Sequence, residues 1–146
     1  MTGFGEFSKR ITMLGDSINS GINNKTKRIA RAADTLIVKA MPVDTGLAKS
    51  SVVVTLGAPS TAQMIEAYFP GSKGSTSGLN AQAAIDQAEG VLKDRKLGEE
   101  IHITINLPYI DDLNQGKSPQ AQAGFIQQAV ADAVSTESGV SIVNKK

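Results

Sequence analysis

Apolar residues at three- and four-residue steps run from Phe7 through Ile11, Leu14, Ile18, Ile22, Ile29, Ala33 and Leu36 to Ala40. That spacing places them along one stripe of an α-helix and commits a long N-terminal stretch to a single element type. Gly15 and Gly21 weaken the pattern, each by about 1 kcal/mol relative to Ala in a helix interior. A bend or break is therefore expected between Ser20 and Asn24. Asn24 to Met41 is the firmer half, and it ends where Pro42 disfavours helical geometry at the residue before it.

Val43 to Leu47 has the composition of a turn, with Asp44 and Gly46 suited to tight backbone geometry. Lys49 to Leu56 reads as a strand, since Val52, Val53, Val54 and Thr55 are β-branched and Gly57 follows. Gln63 to Phe69 is a candidate second strand paired with it. Pro70 to Gly78 is rich in Gly and Ser and is expected to be an exposed, mobile loop over residues 70–79, ordered by a partner. Asn80 is placed to cap a helix running to about Lys96, with Ala84, Ile85, Ala88 and Leu92 on one face and Gly98 as its stop.

Glu100 to Asn106 alternates Ile101, Ile103 and Ile105 with polar residues, the pattern of a half-buried strand. A short helix is expected from Leu107 to Asn114, closed by Gly116. Ser118 and Pro119 then suit the start of a last helix carrying Phe125, Ile126, Ala129, Val130 and Val134 on one side, with Gly124 inside it. Residues 135–146 read as a polar tail whose patch from Val140 to Val143 suits an edge strand in this subunit or a neighbour. The order of elements predicts one α+β domain over residues 1–146: a long N-terminal helix with an arm at 1–23, and a small, mainly antiparallel sheet covered by helices.

Composition narrows the function. The 146 residues carry 4% aromatics, no Trp and no Cys. The core must therefore rest on Ile, Leu, Val and Ala, and contacts with neighbours are expected to add stability. Without Cys there is no thiol chemistry and no cysteine metal site. A net charge of +1 supplies no global field toward nucleic acid. No apolar run approaches the about 20 residues of a membrane span, and no signal-peptide core is seen, so assembly in the cytoplasm is expected.

The supply of catalytic groups is thin. His102 is the only histidine, expected on the polar face of its strand and lacking a second histidine as a co-ligand. Asp111 and Asp112 are adjacent, and adjacent residues on a helix do not face each other. Ser50, Ser51, Ser75 and Ser118 lie in no nucleophile elbow. Gly71, Ser72, Lys73, Gly74, Ser75 and Thr76 superficially suggest a phosphate loop but lack its spacing. The better expectation for them is an interaction loop. Lys25, Lys27, Arg28 and Arg31 form a basic cluster, either a solvated face or a contact with DNA or an acidic partner. No catalytic residue, metal or cofactor is expected, and no helix-turn-helix or zinc signature appears.

Two segments together resemble a known family. Met41-Pro42-Val43-Asp44-Thr45-Gly46-Leu47-Ala48-Lys49-Ser50-Ser51 is similar to a helix end followed by P-V-D-T-G-x-L/A-x-x-S. Asn106 to Ile126 is similar to N-x-x-P-Y-A-x-x-L-E-x-G-x-S-x-Q-A-P-x-G, carried here by Pro108, Tyr109, Leu113, Gly116, Ser118 and Gly124, with Asn106 one position nearer the proline. In this order they resemble the neck and tail-completion proteins of tailed bacteriophages, a group that includes the minor tail protein Z type. Pro70 to Thr76 is similar to a loop found between the two motifs in some members. The sequence departs from the pattern at Ile110 and Asn114, and in Gln122-Ala123, where a proline is common.

The resemblance implies a structural virion protein of the head–tail junction and not an enzyme. It implies a homo-oligomeric ring, hexameric, around the DNA channel. The ring would join connector or terminator to tail, with other phage neck and tail proteins as partners and no membrane. A tail terminator, or a small DNA-binding assembly factor using the basic cluster, are the alternatives. Physically, Tyr109 is expected to bury its ring at the strand-to-helix corner, Gly46 and Gly116 to serve turns, and Gly124 to permit close backbone approach.

Overall fold

The computed structural model describes residues 3–41, 47–72, 74–117 and 122–138. Its elements are α1 (Gly3–Ala40), α2 (Leu47–Ser50), β1 (Val52–Leu56), α3 (Ser77–Leu92), β2 (Ile101–Ile105), α4 (Ile110–Asn114) and α5 (Phe125–Ser138). The two strands form one antiparallel sheet, with Val52 opposite Ile105 and Leu56 opposite Ile101. The fold is α+β: a long N-terminal helix, a small antiparallel sheet and several helices around it.

The expected break at Ser20–Asn24 does not occur, and α1 is continuous through both glycines. A glycine weakens a helix without removing a backbone hydrogen bond. Asn23 is also tied by its side-chain amide to Arg95, which holds the suspect turn in place.

α1 packs against both α3 and α5. Lys27 bonds the Lys93 carbonyl and Arg31 pairs with Glu89, so α1 and α3 run antiparallel. Arg28 pairs with Glu137 while Leu36 and Ala40 share a surface with Phe125 and Ala129, so α5 is antiparallel to α1 as well. Two helices on α1 widen its buried face beyond the apolar stripe: Ala30, Ala33, Asp34, Ile37 and Val38 are buried, whereas Ile29, Leu36 and Ala40 are only half-buried. The main core joins Ile37, Val38 and Met41 to Val52, Val53, Leu107, Leu113 and Phe125. A smaller cluster joins Ala30, Val54, Ala88 and Leu92.

Several expectations need correction. Lys49 and Ser50 belong to the helical turn α2, so the strand begins only at Val52. Gln63 to Phe69 forms no strand. The 63–69 segment bonds the end of α2, Ile65 N–H to the Ser50 carbonyl at 2.8 Å, and β1 pairs instead with β2. Its outer edge is filled by a side chain: Gln87 accepts from Val54 N–H (3.0 Å) and donates to the Val54 carbonyl (2.8 Å), as a neighbouring strand would. Gln87→Ala is expected to lower the unfolding free energy by about 2 kcal/mol, since it orphans both backbone groups. Urea denaturation reads this, and an unchanged midpoint would show that the edge finds another partner.

α3 starts at Ser77 and ends at Leu92, so Asn80 is interior and fully buried, not a cap. Thr76, at the N-cap, makes no side-chain cap bond; its hydroxyl accepts instead from the Asn80 amide at 3.0 Å. Gly116 has φ +85°, and a Cβ there would lie 2.9 Å from the Ala123 Cβ, so both conformation and space demand glycine. Gly124 lies just before α5 and not within it, with φ +72°. Asn114 explains the late start of α5: its carbonyl accepts the Gly124 N–H (2.7 Å) and its side chain receives the Ile126 N–H. The expected start at Ser118 and Pro119 lies outside the described residues. Of the expected tail, Ser135–Ser138 continues α5; the Val140–Val143 patch lies outside the described residues.

Candidate interaction surfaces

A largely apolar groove of about 780 Å³ lies between α3 and the irregular segment 62–69. The segment is strung across the molecule by side-chain ties. Asn106 donates to the Ser60 and Ala62 carbonyls (2.8 and 3.0 Å), and Thr104 accepts from Ser60 N–H. At its far end Asn80 bonds both the N–H and the C=O of Phe69 at 2.8 Å. Phe69 and Leu79 line the groove and remain 42% and 57% exposed. The ionisable side chains lining it are Glu66 and Asp86, both acidic.

The second surface is the N-terminal half of α1. The helix leaves the body at Asn23, where the Arg95 guanidinium and backbone carbonyl clasp the Asn23 amide at 2.6 and 3.2 Å. Beyond that clasp Ile11, Leu14, Ile18 and Ile22 are 52–59% exposed. A Cβ added at Gly15 or Gly21 would meet nothing within 4 Å. The apolar stripe read from the periodicity is thus real in spacing but uncovered over this half.

The basic cluster is largely engaged within the chain. Lys27 donates to the Lys93 carbonyl, Arg28 pairs with Glu137 at 3.7 Å, and Arg31 pairs with Glu89. These cations bridge α1 to α3 and α5; the pairs are partly solvated, so each contributes little stability. Lys25 is exposed.

In the loop, Gly71, Ser72, Gly74, Ser75 and Thr76 turn tightly. Ser75 N–H bonds the Ser72 carbonyl, Ser77 N–H bonds the Gly74 carbonyl, and a Cβ at Gly71 would lie 2.6 Å from the Thr76 hydroxyl. The loop joins the two walls of the groove. Lys73 lies outside the described residues, as do Pro42, Asp44 and Gly46 of the first motif. Pro108 and Tyr109 lead into α4, but Tyr109 is 40% exposed, contrary to its expected burial. Leu107 and Leu113, on either side of it, take the buried places.

His102 is more covered than expected and sits 3.2 Å from the Glu100 carboxylate. Asp112 pairs with Lys117 at 2.9 Å. Among the described residues no three His, Asp or Glu converge as a metal site, and no helix is long and apolar enough to cross a membrane.

Three buried polar residues escaped sequence reasoning. Asp34 is fully buried, neither carboxylate oxygen has a hydrogen-bond partner among the described residues, and burial raises its pKa to about 7. Lys49 is buried with its ammonium 2.8 Å from the Val38 carbonyl and 3.3 Å from that of Lys39, capping the end of α1; burial lowers its pKa. Ser50 donates to Asn80 at 2.9 Å. Only the charge of Asp34 inside a helical period was visible beforehand, and such a residue is ordinarily solvent-facing. No family model, curated protein or solved structure matches the chain.

Proposed function

We propose that the chain is a structural subunit of the head–tail junction of a tailed bacteriophage virion, assembled in the host cytoplasm as a ring, hexameric, that joins connector or terminator to tail. The observation that carries this reading is the ordered pair of motifs, Pro42–Ser51 and Asn106–Gly124, with β1, α3 and β2 between them. Their polar residues serve the fold: Lys49 caps α1, Asn106 anchors the segment at 60–62, and Asn114 sets the start of α5. That use suits motifs that mark an architecture more than a reaction centre.

Two large uncovered apolar surfaces, the groove and the half-helix, suit a subunit completed by neighbours. The test is removal of the coding sequence from the phage that carries it, followed by electron microscopy of the lysate. Separate DNA-filled heads and finished tails are the expected outcome. Joined, infectious particles lacking the protein would overturn the reading.

A further inference from the structure

We propose that the N-terminal half of α1 of one copy seats in the groove of the next copy, head to tail. Ile11, Leu14, Ile18 and Ile22 recur at the spacing of a helix that anchors its apolar face in a groove. All four are more than half exposed in the isolated chain. The groove offers Ile65, Phe69, Leu79 and Ala83 in return.

The occupant must come from another copy, for a geometric reason. The groove is built on the N-terminal half of α3, at Leu79, Gln82, Ala83 and Asp86. α1 leaves the body beside the opposite end of α3, at Lys93 and Arg95. Because α1 and α3 are antiparallel, the free half of α1 points away from its own groove. The two ends of α3 lie about 24 Å apart at 1.5 Å per residue. An unbroken helix cannot turn back across that distance.

Charge agrees with this pairing. The groove is lined by the carboxylates Glu66 and Asp86 and by no cation among the described residues. Arg10 stands beside Ile11 on the flank of the stripe, where it meets an acidic rim as the helix docks. Gly15 and Gly21 lie on the two shoulders of the same stripe, and with no Cβ they let a groove wall approach the helix backbone. Unlike surfaces meeting in this way form a heterologous contact, which closes into a ring when the rotation allows. The contact concerns how copies meet in any setting and does not depend on the junction reading.

The test uses the full chain. Wild-type protein is expected to form oligomers in light-scattering chromatography. An arm variant, Leu14→Glu with Ile18→Glu, and a groove variant, Leu79→Glu, should each be monomeric with unchanged circular dichroism, since all three positions are exposed. Mixed together, the two variants should form a one-to-one heterodimer and nothing larger, because one retains its groove and the other its arm. Arg10→Glu should weaken wild-type association about tenfold or more, and Asp86→Arg should restore it.

The chain lacks cysteine, so Ser17→Cys and Gln82→Cys supply a unique pair, expected to cross-link between copies. A monomeric wild type, a mixture that fails to associate, or a cross-link confined to one chain would each overturn the proposal. A mixture that fails to associate leaves the junction reading standing, while joined particles without the protein would sink that reading and leave this contact intact.

Discussion

Asp34→Asn is expected to raise the melting temperature by about 10 °C at about pH 8 and to change it little near pH 4. Asp34 is fully buried without a partner for either oxygen among the described residues, and burial lifts its pKa from 3.8 to about 7. The folded state therefore favours the protonated acid. Its contribution is fully present below the unfolded value of 3.8 and is lost as pH rises to about 7. Each tenfold change in proton affinity is worth about 1.4 kcal/mol, so the ionised carboxylate costs the fold about 4 kcal/mol above that window.

Asn has nearly the same shape and cannot ionise, so the variant should lose the pH dependence while keeping the packing. Asp34→Leu removes the orphaned polar atoms too and should be at least as stable. Melting curves of the three proteins across this pH range decide the matter. A wild type and an Asn variant that melt in parallel at every pH would show that the carboxylate is solvated or paired.

Asn80→Ala is expected to lower the unfolding free energy by about 3 kcal/mol. The Asn80 side chain uses its full hydrogen-bonding capacity: Oδ1 accepts from Ser50 Oγ and Phe69 N–H, and Nδ2 donates to the Phe69 carbonyl and Thr76 Oγ1, all within 2.8–3.0 Å. Removing it strands the buried Ser50 hydroxyl and frees the segment that forms one groove wall. Asn80→Asp keeps the acceptors, loses both donors and buries a charge, so it should also be destabilised, most strongly above neutral pH. Urea unfolding monitored by circular dichroism reads both. An Ala variant within about 0.5 kcal/mol of wild type would mean that Phe69 and Ser50 find other partners.

The apolar spacing from Ile11 to Ala40 announced α1, and alternating Ile101, Ile103 and Ile105 announced β2, because both patterns reflect one element's own hydrogen-bonding geometry. Gly116 was legible for the same reason: a turn with positive φ is a local demand. The groove was not legible. Its wall at 62–69 has an ambiguous period and is held by Asn80, Asn106 and Thr104, residues far away in sequence. Choosing β2 over 63–69 as the partner of β1 likewise depended on long-range packing, and Gln87 took the remaining edge through a side chain that no strand pattern reveals.

The sequence by itself determined where the long helix, the strand residues Val52–Leu56 and Ile101–Ile105, and the turns at Gly57, Gly98 and Gly116 lie, since local spacing dictates backbone conformation. Tertiary structure alone decided which part of the helix is covered. α3 and α5 together bury the C-terminal half so widely that Asp34 is enclosed. Both helices run out before Asn23, and the same apolar stripe is left bare beyond it. Periodicity specifies a face; only packing specifies what lies against it.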